Sequence, residues 1–273
     1  MNASLSLSKV LRRTFGIYAE QAPILLTAAI MVAGVVALDQ VQFKNSPALA
    51  VGALLINLVV LGLFVCVVVL VVADVWDGGS RRGARELLRD GWSALGPLLL
   101  VGIVAGIAIT VLTSFVSVIA IIFIAGAALS AGVGLVGLIL AIVLVPVLLI
   151  VPELFLLTVW SVTAAVAVLE RPGGLRALGR SRDLVRGNGW RVLALILVLA
   201  LPLAFAADEI ERAAAAVGSG PAIAVRLLVA TLVAPIPVLA ATALYFELRR
   251  AEPIGAPVDS MPSGVLPSST ALL

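Results

Sequence analysis

Long apolar stretches alternate with short polar segments along the whole chain. Ile24 to Leu38 is the first, and Asp39, Gln40, Gln42, Lys44 and Asn45 close it. Ala48 to Ala73 is the second, with Asn57 as its one strongly polar member. Residues 74–96 are polar. Leu98 to Leu169 then carries a single charge, Glu153. Residues 170–191 are strongly basic, Val192 to Ala207 is apolar, and Asp208, Glu209, Glu211 and Arg212 interrupt before a last apolar stretch to Phe246. A helix crosses the ~30 Å hydrocarbon layer with about 20 such residues. The pattern therefore predicts an all-α polytopic membrane protein with spans near 22–38, 48–73, 97–123, 135–169, 191–207 and 221–246. The stretch from 98 to 169 holds two crossings, with a turn expected near Gly126–Gly134, where small residues cluster. Residues 1–250 read as one membrane domain. Residues 251–273, rich in Pro and Ser and without periodicity, read as a disordered cytoplasmic tail.

Composition agrees with the pattern and narrows the chemistry. Hydrophobic residues are 62%, charged residues 12%, and mean hydropathy is +1.23, against about 45–50% apolar and ~25% charged in soluble domains. Histidine is absent, which removes imidazole acid–base chemistry and imidazole metal sites. Cys66 is the one cysteine, so no intramolecular disulfide forms. With no phosphate loop, metal-ligand spacing or nucleophile–base pair, neither enzymatic activity, a cofactor nor a metal is expected.

Charge placement orients the spans. Fifteen of the 18 basic residues fall in segments that six crossings put on one side: Lys9, Arg12 and Arg13, then Arg81, Arg82, Arg85 and Arg89, then six arginines between Arg171 and Arg191, then Arg249 and Arg250. The positive-inside rule makes that side cytoplasmic and puts both termini there, in a bacterial plasma membrane. The first apolar run lacks a persuasive cleavage site and is read as a retained span. The net charge of +3 is small, and no nucleic-acid partner is expected.

Each hairpin is preceded by a basic, amphipathic segment ending in an aromatic: Leu7 to Tyr18, Leu87 to Trp92, and Leu184 to Trp190. Three units of amphipathic cytoplasmic helix plus hairpin are expected. In the third, Arg176, Arg180, Arg182 and Arg186 alternate with Leu175, Leu178, Leu184 and Val185 and are candidates for anionic headgroup contacts. Glu153 and Arg226 are the other candidates. Counted back along helices at 1.5 Å per residue, both fall at similar outer depth, which suggests an intramembrane ion pair. Gly102, Gly106, Thr110, Thr113, Ser114 and Ser117 mark one face of the third span and are expected to pack against another helix. Pro235 and Pro237 are expected to kink the sixth span and unpair its carbonyls.

One block is distinctive: Val168-Leu169-Glu170-Arg171-Pro172-Gly173-Gly174, then Ala177-Leu178-Gly179-Arg180-Ser181, then Leu184-Val185-Arg186-Gly187 and Trp190-Arg191-Val192-Leu193. With the opening Leu11-Arg12-Arg13-Thr14-Phe15-Gly16-Ile17-Tyr18 and the close Leu244-Tyr245-Phe246-Glu247-Leu248-Arg249, it resembles the bacterial family of glycerophosphoryl diester phosphodiesterase membrane domain proteins. Ala164-Ala165 stand where that family often has a proline. The resemblance implies a multispan membrane domain, sometimes fused to a phosphodiesterase. The catalytic domain is not expected here, since its soluble barrel and histidines have no counterpart in this sequence.

The expected role is a non-enzymatic scaffold or accessory protein whose basic face meets anionic membrane lipid or a membrane protein partner. The rival expectation is a small-solute or lipid transporter, which would place more charge at midplane than Asn57 and Glu153 supply. Topology is directly testable. In a Cys66→Ala background, single cysteines at Asn45 and Ser219 should react with an impermeant thiol reagent added outside cells. Cysteines at Ser80 and Gly174 should not, and outside labelling at Gly174 would break the six-span arrangement.

Overall fold

The computed structural model describes residues 7–42, 47–78, 83–129, 147 and 150–251. They are helical almost throughout. The helices are α1 (Leu7–Gln42), α2 (Pro47–Trp76), α3 (Ala84–Leu129), α4 (150–159), α5 (Thr163–Leu169), α6 (Arg176–Val185), α7 (Gly189–Val217), α8 (Ser219–Val233) and α9 (Pro235–Ala251). Six helical stretches are long and apolar enough to cross a membrane, with α4 and α5 forming one and α8 and α9 another. The protein is an all-α polytopic membrane protein. The expected tail beyond 251, residues 43–46, most of the expected 126–134 turn and most of the expected fourth span before residue 150 lie outside the described residues; Gly126 to Leu129 still belong to α3.

Helix ends do not coincide with hydropathy ends. The 46 residues of α3 span roughly 69 Å and the 36 of α1 roughly 54 Å, well beyond the hydrocarbon thickness. The amphipathic segments before the first two hairpins are the opening turns of α1 and α3 and run into their spans without a break. The third is a separate helix, α6, because Gly187 takes φ +87° behind it, a left-handed conformation open to glycine at little cost. The helix α7 likewise outruns its apolar segment, which ends at Ala207, by ten residues. Arg212 holds that extension together by pairing with Asp208 and with Glu209, one turn back on the same face. Gly218 at φ +143° then ends it.

The core sits at the basic end of the bundle. In α2, Cys66 to Ala73 are buried without interruption, as an apolar helix surrounded on all sides must be. Around it pack Val10, Ile17, Leu25 and Ala29 of α1, Leu87, Ala94, Leu98 and Val101 of α3, Ala165 to Val168 of α5, and Leu239 to Leu248 of α9. Toward the other end α3 and α7 present Ile107, Phe115, Leu201 and Phe205 on the outside. The Gly102–Thr110 face is exposed too, and nothing described lies within 4 Å of a side chain built at Gly102 or Gly106. Among the described residues, therefore, no helix packs against that stretch; the packing of α3 onto α2 and α5 is made by its basic-end half, and Thr113 further along the same face meets Glu153 of α4.

The approach of α3 to α2 rests on Gly62. A Cβ built there would lie 2.7 Å from Leu95 Cδ1 and 3.1 Å from Leu99 Cδ2. Gly62→Val should therefore destabilise the protein by about 1–3 kcal/mol through overpacking, read as a lower unfolding midpoint in detergent. Gly52→Val, on the same helix with open space around it, should leave the midpoint unchanged.

Candidate functional site

The distinctive basic block folds into a compact turn centred on Glu170. Helix α5 ends there, and Arg171 turns left-handed at φ +49°, a strain of roughly 1–2 kcal/mol for a residue with a Cβ. Its guanidinium is tied down on the far side, donating to Ser93 Oγ at 3.1 Å and to the Val168 carbonyl at 3.4 Å. Gly173 and Gly174, both at positive φ, close the turn, and their carbonyls accept the first bonds of the next helix, from Arg176 and Ala177. Beside this turn a cavity of about 450 Å³ is lined by Glu86, Arg89, Asp90 and Ser93.

Glu170 joins three elements. Its Oε2 accepts from Arg180 Nε of α6 at 3.1 Å, and its Oε1 accepts from the Tyr245 hydroxyl of α9 at 2.8 Å. Arg249 donates to the same tyrosine oxygen at 3.3 Å. Tyr245 is fully buried and Glu170 largely so. A carboxylate with both oxygens engaged by donors from two helices fixes their angle as well as their distance.

The fourth span is broken a short way above this hub, between α4 and α5. Its hydrogen-bond ladder slips from four residues to three at Ser161 and Thr163, whose N–H groups reach Thr158 and Trp160. That slip leaves the Val159 carbonyl without its helical donor, and Ser181 Oγ of α6 donates to it at 2.8 Å. The Ser161 and Thr163 hydroxyls lie buried at the same break with no hydrogen-bond partner. The sixth span breaks where expected. Pro235 and Pro237 cannot donate to the Thr231 and Val233 carbonyls, and the Tyr18 hydroxyl of α1 donates to the intervening Leu232 carbonyl at 3.0 Å.

The expected pair of Glu153 and Arg226 is not formed. Glu153 Oε1 accepts from Thr113 Oγ1 of α3 at 2.6 Å, and Arg226 Nε lies 4.0 Å from Glu211 Oε2. Comparing depth along the fourth and sixth spans alone leaves α7 out. Because α7 continues to Val217 and turns in one residue, it carries Glu211 alongside α8, next to Arg226. Of the four arginines expected on the membrane surface, Arg180 is turned inward to Glu170. Arg176, Arg182 and Arg186 face outward, while Ala177, Ser181, Leu184 and Val185 form the buried side of α6.

Sequence reasoning also passed over Trp76, the last residue of α2. Its ring stacks on Phe246 at 4.7 Å, and the Arg13 guanidinium lies over it at 3.6 Å. Arg250 approaches the same ring at 4.7 Å. An aromatic at the basic end of a span was the available signal. Among the described residues no group of three or more His, Cys, Asp or Glu is placed to hold a metal ion.

The pattern of a domain of unknown function, DUF8558, matches residues 98–247. The chain belongs to the DUF8558 family. No similar curated protein and no similar solved structure matches it. The DUF8558 region contains Glu170, Arg180, Tyr245 and Ser181, so the hub and the capped break both lie within it, whereas Arg13, Tyr18, Trp76 and Arg250 lie outside. Within this DUF8558 region the hub is open to a double-mutant cycle. Tyr245→Phe and Glu170→Gln should each lower stability in detergent, by about 1.5–3 kcal/mol for a bond to a charged group. The double variant should lose less than the sum, and strictly additive losses would mean that the two side chains do not act together.

Proposed function

We propose that this DUF8558 member is a membrane scaffold or accessory protein whose basic side faces the cytoplasm of a bacterial cell and engages anionic lipid headgroups or a membrane partner. The observation that carries this reading is the posture of α6. Its apolar side is spent on the protein, so Arg176, Arg182 and Arg186 stand on the outer side. Leu175, just before α6, and Trp190, at the start of α7, are strongly exposed, Trp190 at 84%. An amphipathic aromatic next to a row of cations fits the headgroup layer, where each arginine contributes roughly 1 kcal/mol toward anionic lipid.

A transporter is the second reading, and the two interrupted spans favour it. Against it, a side chain already occupies a carbonyl at each interruption, which suits a fixed framework better than a gate.

The test uses full-length protein whose other tryptophans are replaced by phenylalanine, reconstituted with headgroup-brominated lipid. Trp190 emission should be quenched more by brominated phosphatidylglycerol than by brominated phosphatidylcholine, and the excess should fall as salt rises. The Arg176→Gln/Arg182→Gln/Arg186→Gln variant should lose the excess. Equal quenching by both lipids at low salt would reduce these arginines to topology signals.

A further inference from the structure

The first and last helices of the bundle meet at the basic end, and Trp76 of α2 lies between them. Arg13 of α1 sits 3.6 Å from its ring centroid, Arg250 of α9 sits 4.7 Å from it, and Phe246 stacks on the indole at 4.7 Å. Two guanidinium groups that approach one ring are at most roughly 8 Å apart, a separation one bridging phosphoryl group can span with a hydrogen bond to each.

The chemistry of the stack matters more than the proximity. A guanidinium lying on an aromatic ring uses its face for that contact. Its five N–H donors point outward in the plane and stay available. Arg13 is thus held in place with its donors unspent, which removes much of the entropy that binding an anion to a free surface arginine would cost. Arg250 has an acidic neighbour, Glu247, but at 3.9 Å, beyond the ~2.7–2.9 Å of a charge-assisted bond. Lys9 and Arg12 share the start of α1 with Arg13, and Arg249 shares the end of α9 with Arg250. Lys9, Arg12, Arg249 and Arg250 are exposed, and the cluster lies at the cytoplasmic headgroup level of the orientation proposed above.

We propose that Arg13 and Arg250, presented on Trp76, form a binding site for an anionic phosphoryl group, supplied by a phospholipid headgroup or by soluble phosphate. The ligand bridges the first and last helices of the bundle. This inference rests on the membrane reading but not on the α6 face, whose arginines the test leaves intact.

Cys66, the single cysteine and buried, gives the readout: a thiol-reactive fluorophore reports unfolding when it becomes accessible. Full-length protein in neutral detergent is heated with phosphatidylglycerol, with phosphatidylcholine, or with sodium phosphate against sodium chloride at matched ionic strength. Phosphatidylglycerol should raise the unfolding midpoint above that in phosphatidylcholine. Arg13→Gln/Arg250→Gln should lose the rise, Arg13→Lys/Arg250→Lys should keep part of it, and the α6 triple glutamine variant should keep all of it. If phosphate alone reproduces the full rise, and the glutamine pair abolishes that too, the ligand is soluble phosphate at the same site. Equal midpoints in the two lipids, with no effect of phosphate, overturn the proposal. So does a rise that survives in Arg13→Gln/Arg250→Gln. Should the glutamine pair not fold, Trp76→Phe keeps both cations on a weaker platform and must shrink the rise; an unchanged rise overturns the proposal equally.

Discussion

A backbone carbonyl inside a membrane has no water to fall back on, and each one left without a donor costs several kcal/mol. Two of the six spans in this protein are broken at depth, so two helices release carbonyls that must find donors elsewhere. Ser181 reaches the Val159 carbonyl and Tyr18 reaches that of Leu232. Both donors come from other helices, so meeting the constraint also docks α6 against the fourth span and α1 against the sixth. The Glu170 hub reinforces the first of these dockings. Arg180 and Ser181, adjacent on α6, are engaged in sequence, one by the carboxylate and one by the freed carbonyl, and Tyr245 brings α9 to the same carboxylate. Helix α6, which hydropathy alone would leave lying free on the membrane, is therefore held to the bundle by polar bonds as well as by its buried apolar side.

That arrangement divides the arginines of the basic block by role. Arg171 and Arg180 are spent on the fold, one holding a strained turn and the other pairing with Glu170. Arg176, Arg182 and Arg186 are left for the outside. Spacing along a helix of ten residues orders the two groups: Ala177, Ser181, Leu184 and Val185, three and four positions apart, share the inward face, and Arg176, Arg182 and Arg186 fall off that stripe.

The spans were legible in the sequence because burial in lipid imposes one strong rule, about 20 apolar residues per crossing. The prolines at 235 and 237 announced the break in the sixth span for an equally simple reason, the missing donor. The break at Trp160–Val162 has no proline or glycine, so nothing local signalled it; it is legible only once Ser181 is seen to supply a donor. The pairing of Glu153 with Arg226 failed because hydropathy reports where the membrane ends, not where the helix ends, and α7 carries on past its last apolar residue. The block around Glu170 stood out as a pattern, but its meaning is tertiary: Glu170 and Tyr245 are 75 residues apart, and no periodicity links them. The contact of Trp76 with Arg13 is tertiary in the same way, 63 residues apart in the chain.

The packing of α1 against α9 has a consequence for how the protein is made. Val10 to Ala29 of the first helix share one core with Leu239 to Leu248 of the last, and Tyr18 donates to the Leu232 carbonyl near the end of α8, just ahead of it. While the ribosome is still translating, the early helices enter the bilayer without the neighbour that completes their packing, and the Tyr18 hydroxyl has no carbonyl to meet. The bundle closes only after α9 has emerged. Chains that stall before residue 235 would leave the α9-facing side of α1, with Val10, Ile17, Leu25 and Ala29, without its partner. The join of α1 to α9 therefore also separates chains that have reached α9 from those that have not.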